Sequence, residues 1–229
     1  MNEQQNEQPQ TTSESLYVTL ILDETGSMQS CKGAAIAGFN QYVATLRREP
    51  AETRFTLTLF NSSKTEVRYR AVPVSAVQDL DVETYRPGHT TPLYDAIGRT
   101  LSLSRQEAPA EARKLCVILT DGLENASQEY TRKQIFDLIK AYEQDGWRFL
   151  YLGADHDVWT AGGSLGIAGD NRVSFCKLKI EETFTNLSEE TARYRRGESR
   201  PRKAPRRSNG TAGTDEEQEG HHGSSPRAN

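Results

Sequence analysis

The chain has 229 residues, 35% of them hydrophobic and 26% charged, with a formal net charge of −4. This balance fits one compact domain with polar ends and a core that stands without disulfide staples. The longest apolar runs reach about seven or eight residues, too short for a membrane-spanning helix, and the three scattered cysteines, Cys31, Cys116 and Cys176, form no C-x-x-C pair, which argues against a disulfide framework or a zinc knuckle.

Residues 1–14 are polar and Gln-rich, lack the basic start and apolar stretch of a secretory signal, and are expected to be disordered. With the unpaired cysteines this points to a reducing, cytoplasmic setting. Leu16 to Leu22 (LYVTLIL) has the β-branched, apolar character of a buried strand. Ile36, Phe39, Val43 and Leu46 then recur at helical spacing. Phe55 to Phe60 and Glu66 to Tyr69 alternate like a strand pair about a turn at Asn61-Ser62-Ser63. Leu93, Ile97 and Leu101 predict a second helix, and Leu115 to Leu119 (LCVIL) another buried strand, in which Cys116 packs as a small hydrophobe. A third helix is marked by Ile135, Leu138, Ile139 and Tyr142, and a strand by Trp147 to Leu152. A Gly-rich segment, a short strand at Val173 to Phe175 and a last helix from Ile180 to Tyr194 complete the pattern.

Eight basic residues and one acidic residue fall between Arg193 and Arg207, while the first 192 residues carry about −8. The domain is expected over residues 15–196, followed by a disordered basic-then-acidic tail at 197–229. The basic strip is expected to be a solvated tail; weak binding to a nucleic acid or an acidic protein is its functional alternative. The His221-His222 pair is too short to indicate a metal site.

Strands alternating with helices predict an α/β fold: a doubly wound, mostly parallel sheet with helices on both faces. In such sheets ligands collect beyond the C-terminal strand ends, where the strand order reverses. The first strand is followed by Asp23-Glu24-Thr25-Gly26-Ser27, the LCVIL strand by Thr120-Asp121-Gly122, and between them Gly88-His89-Thr90-Thr91-Pro92 opens into a helix. Two carboxylates and several hydroxyls suit a hard cation such as Mg²⁺ or Mn²⁺. The bland alternative is that Asp23, Thr25 and Ser27 cap the following helix.

Asp23-x-Thr25-x-Ser27 resembles the D-x-S/T-x-S signature of the metal-ion-dependent adhesion site of von Willebrand factor A domains. Thr91, in TPLYDAI, resembles the family's separate loop threonine, and Asp121, in LTDG, its second aspartate. The likeness covers residues 17–194 and suggests a small bacterial or phage member with a Rossmann-like fold. It implies that the first strand lies beside the one ending at Asp121. It also implies that Thr25 and Ser27 bind the metal directly, Thr91 directly or through water, and Asp23 and Asp121 mostly through water. A protein partner's exposed Asp or Glu then completes the coordination, and the chain acts as a monomeric binding module rather than an enzyme. Thr90 is the alternative to Thr91, and Glu24 is expected to face solvent without a role. His89 and Cys31 are expected to be an ordinary loop histidine and helix cysteine, and Asp155-His156-Asp157 a helix start.

Two other functions compete. A Mg²⁺-dependent phosphohydrolase of haloacid dehalogenase type also begins with an aspartate after its first strand, but it needs a second aspartate where Thr25 stands. Nucleic-acid binding through the tail is disfavoured by the acidic body and by the lack of interleaved aromatic and basic residues.

Overall fold

A computed structural model describes residues 15–154, 157–175 and 177–198. The expected disordered N-terminal segment, most of the basic-then-acidic tail, Asp155, His156, Cys176 and the His221-His222 pair lie outside these residues. Six strands form one sheet: β1 (Leu16–Asp23), β2 (Thr53–Asn61), β3 (Lys64–Pro73), β4 (Arg113–Thr120), β5 (Trp147–Ala154) and β6 (Arg172–Phe175). Their spatial order is β3-β2-β1-β4-β5-β6, all parallel except β3. The hairpin partner β3 is antiparallel because only Ser62 and Ser63 separate it from β2, too few residues for a crossover. Asn61 shapes that turn: its Oδ1 accepts the backbone N–H of Ser63 at 2.9 Å and of Lys64 at 3.1 Å.

All eight residues of β1 are buried, as expected of a central parallel strand covered on both faces. Leu16, Val18, Leu20 and Leu22 face a layer built from α1 (Lys32–Arg48) and α5 (Ile180–Arg195). Tyr17 and Ile21 face the other layer, to which α2 (Leu93–Glu107) and α3 (Arg132–Gln144) contribute. A short α4 (Asp157–Ser164) follows β5 on this second side. The expected helix start at Asp157 is thus present in the backbone. Cys116 is wholly buried among apolar neighbours, as its place in LCVIL implies.

Two features differ from the sequence reading. The stretch between β3 and α2 has little regular structure, yet it buries Val74, Val77, Leu80 and Tyr85 against the first layer. Asn40 of α1 holds it, donating to the Leu80 carbonyl at 2.9 Å and accepting the Leu80 N–H at 2.8 Å. Its apolar residues follow neither helical nor strand spacing, so periodicity cannot reveal it. The basic strip is also not wholly tail. Arg195 is buried at the end of α5, where it donates to the Ala51 carbonyl at 3.0 Å and to the Thr53 hydroxyl at 2.5 Å.

The α1–α5 contact depends on Gly38. A Cβ there would lie 2.2 Å from Cδ2 of Phe184, whose ring is itself packed against Tyr42. Gly38→Ala gains about 1 kcal/mol of helix propensity, but overpacking costs about 1–3 kcal/mol. The variant is expected to melt below the wild type, and thermal denaturation checks the sign.

Candidate metal site

β1 ends at Asp23 and β4 at Thr120, and their pairing sets Leu22 opposite Leu119. From this point the chain builds β2 and β3 on one side of β1, while β4, β5 and β6 lie on the other. It is the reversal point of the sheet, where two strand ends open a crevice without a helix across it.

Asp23 is wholly buried. Its Oδ1 accepts the Thr25 backbone N–H at 2.7 Å and its Oδ2 accepts the Thr120 hydroxyl at 2.5 Å. Burial pushes its carboxyl up to about 6; the bonds from Thr120 and Thr25 oppose the rise and the charge of Asp121 adds to it. The Asp23 carbonyl accepts the hydroxyl of buried Tyr85 at 2.5 Å, and burial lifts that phenol well above its usual range.

The Thr25 and Ser27 hydroxyls lie 3.1 Å apart, and Ser27 donates to Asp121 Oδ1 at 2.5 Å. Thr91 arrives from the third segment. Asn125 holds it by accepting the Thr91 N–H at 2.8 Å and donating its own N–H to the Thr91 carbonyl at 3.1 Å. A Cβ on Gly122 would stand 2.8 Å from Thr91 Oγ1 and 3.5 Å from Ser27 Oγ. The two hydroxyls therefore converge on a space that only glycine leaves open. Thr90 is exposed and its backbone pairs with Ser62, so Thr91 is the threonine beside the site.

These oxygens fit a hard cation. The 3.1 Å between the Thr25 and Ser27 hydroxyls is close to the edge of an octahedron with metal–oxygen bonds of about 2.1 Å, roughly 3.0 Å. Among the described residues no group of three or more His, Cys, Asp or Glu side chains is placed to hold a metal, so nothing there offers a softer site. The helix-cap reading fails for Thr25, which precedes the 3-10 turn Gly26–Cys31 but makes no side-chain capping bond.

Glu24 corrects the sequence reading. It is wholly buried rather than solvent-facing: Oε1 accepts the Arg86 N–H at 2.6 Å, and Lys64 sits 3.1 Å from Oε2 as an ion pair. Its carbonyl accepts Gly88 N–H at 3.0 Å. Glu24 thereby ties β1 to both the hairpin and the loop that carries Thr91. The difference arises because the strand ends at Asp23, after which side-chain direction is set by the loop. Thr120, Tyr85 and Asn125 were likewise not assigned roles from sequence; only Thr120, adjoining Asp121, carried a local signal. His89 is exposed with φ +67°, and its carbonyl accepts the Gly26 N–H at 3.0 Å. The Cys31 thiol is pushed up to about 11, by burial first and Asp121 second, which disfavours the reactive thiolate.

The fold defines a Rossmann-like α/β domain that carries a sheet-edge cluster of hydroxyls and carboxylates. Residues 18–192 match the sequence model of the von Willebrand factor type A domain, and the chain belongs to that family. No curated protein sequence matches it. Among solved structures, the pilus adhesin SpaC from Lactobacillus rhamnosus GG, in an open conformation, superposes with a TM-score of 0.58 at 13% identity, over 80% of this chain and 30% of that one. Proximal thread matrix protein 1 from the mussel byssus, with a zinc-occupied metal-ion-dependent adhesion motif, gives 0.56 at 13% identity over 79% and 48%. A von Willebrand factor type A protein from Catenulispora acidiphila gives 0.52 at 14% over 78% and 43%. At such identities the likeness concerns the fold, and the chain spans less than half the length of these proteins.

The raised Asp23 pKa has a stability consequence in metal-free protein. Its folded value near 6 lies above the usual carboxyl value. The folded state thus holds the proton more tightly between roughly pH 4 and 6, and this group's contribution is lost as pH rises through that window. Asp23→Asn, in chelator, is expected to be more stable than wild type at pH 7.5, by at most about 3 kcal/mol, with the gap shrinking to about a third by pH 4.5. Urea denaturation at the two pH values measures it; a gap independent of pH contradicts the assignment.

Proposed function

We propose that this chain is a metal-dependent protein-binding module, in which Asp23, Thr25, Ser27, Thr91 and Asp121 hold Mg²⁺ or Mn²⁺ and a partner's Asp or Glu completes the site. The observation that carries this reading is the convergence of the Thr25, Ser27 and Thr91 hydroxyls beside two carboxylates, over a glycine with no room for a side chain. Ser27 is exposed while Asp23, Thr25 and Thr91 are buried, so the site opens to solvent on one side only. When bound, the metal supplies Lewis acidity toward an external oxygen donor. The hydroxyls would orient it as neutral ligands, while Asp121 accepts a short hydrogen bond from the Ser27 hydroxyl and Thr120 fixes the Asp23 carboxylate. With few charged ligands, the ion keeps a strong demand for an anionic oxygen.

Binding is favoured over phosphohydrolase chemistry by Asp23 itself. A nucleophilic aspartate must offer an oxygen to substrate, whereas both Asp23 oxygens accept hydrogen bonds inside a buried site. Thr25 supplies no acid–base group in the second aspartate's place. Nucleic-acid binding through the tail is the lesser reading, since one arginine of the basic strip, Arg195, is used in the core at the end of α5. We place the module in the cytoplasm, a reading supported by the buried free thiols Cys31 and Cys116, and take it as a monomer of small bacterial or phage type.

Calorimetric titration of Mg²⁺ into chelator-stripped protein tests the reading. One saturable site is expected in the wild type. Thr91→Ala is expected to weaken binding at least tenfold, and Gly122→Ala to weaken it similarly by filling the cradle, with little change in melting temperature for either. Undiminished affinity in both variants would sink the ligand assignment.

A further inference from the structure

A charged group at the same sheet edge is left unused by this scheme. Lys177 lies in the 3-10 turn Lys177–Lys179, after β6 and before α5. Its Nζ sits 2.6 Å from Asp121 Oδ2 and donates to the Ser27 carbonyl at 3.4 Å. The Asp121 side chain is fully buried, while that of Lys177 is one-third exposed. The carboxylate is thereby divided: Oδ1 faces the Ser27 hydroxyl, with Thr25 beside it, and Oδ2 faces the ammonium.

We propose that Lys177 is a positioning and selectivity residue, which orients Asp121 and partly cancels its charge so that the metal site binds a partner carboxylate more tightly. This inference rests on the metal-and-carboxylate reading above. Because the ammonium and the Ser27 hydroxyl use different oxygens of Asp121, Lys177 keeps its place when the hydroxyl side is engaged. The charge count then follows. Asp23 and Asp121 bring two carboxylates to the site and Lys177 brings an ammonium against one of them, while Lys64 is shared between Glu24 and Glu66. With Lys177 in place the two aspartates neutralise a divalent ion less fully, which favours one more anionic oxygen from outside. Without Lys177 the two aspartates alone balance the ion, and the call for an external anion weakens. A fixed like charge near the metal lowers metal affinity and raises anion affinity, whereas a purely structural role would strengthen or weaken both together.

The experiment measures Mg²⁺ affinity of the full chain by calorimetry, in sodium chloride and in sodium acetate at equal ionic strength, corrected for acetate complexation. Acetate is the carboxylate probe, and linkage makes its binding visible as a gain in Mg²⁺ affinity. In chloride, Lys177→Met is expected to bind Mg²⁺ about three- to tenfold more tightly than wild type, while its gain from acetate is smaller by a similar factor. Lys177→Arg, which keeps the charge, is expected to follow the wild type. Lys177→Gln replaces Lys177→Met if the latter fails to fold. Weaker Mg²⁺ binding in the neutral variant, or an unchanged affinity and acetate gain, overturns the assignment and leaves the metal site standing. Wild-type protein that binds no Mg²⁺, or binds it with no gain from acetate, overturns the metal-and-carboxylate reading itself and this assignment with it.

Discussion

The parallel pairing of β1 with β4 is the constraint on which the site depends. It sets Asp23 and Thr120 side by side where the sheet changes direction, and the hydroxyl–carboxylate bond at 2.5 Å joins the two strand ends. A buried carboxylate is costly unless its lone pairs are filled. Here Thr25 and Thr120 fill them from two different segments, so the cost of burying Asp23 becomes a reason for those segments to stay together.

Around this joint the loops are tied by polar contacts more than by apolar packing. Glu24 binds the hairpin through Lys64 and the Thr91 loop through Arg86 and Gly88. Asn125 clasps the Thr91 backbone from both sides. Beyond Thr91, the carboxylate of Asp95 accepts the N–H groups of Gln128, Glu129 and Tyr130, and so anchors the loop after β4 to α2. Each tie joins segments distant in sequence, which makes the crevice a property of the whole sheet edge. Such preorganisation suits a binding site whose hydroxyls must be held in place before a ligand arrives.

The electrostatic character of the site follows from the same economy. Neutral hydroxyls provide much of the lining, one carboxylate is buried with a raised pKa, and the other is shared with Lys177. Little uncompensated negative charge is left at the site, and Ser27 is its exposed member. Leu123, the residue after Gly122, is an exposed large apolar side chain.

The strands and helices were legible in the sequence because burial imposes a period: LYVTLIL and LCVIL read as covered strands, and Ile135, Ile139 and Tyr142 as one helical face. The short oxygen side chains after those strands were legible for the same reason, since the topology allows few places for a site. What periodicity cannot supply is the direction of side chains in irregular backbone. Glu24 points inward, Tyr85 comes from a stretch with no repeat to reach the Asp23 carbonyl, and Lys177 comes from the turn after β6 to reach Asp121. The Glu24–Arg86, Tyr85–Asp23 and Lys177–Asp121 contacts link residues 62, 62 and 56 positions apart. The sequence alone determined the repeating elements and the chemistry at the strand ends; only the tertiary structure decided which distant polar groups meet there, because that depends on loop paths through space and not on any local pattern.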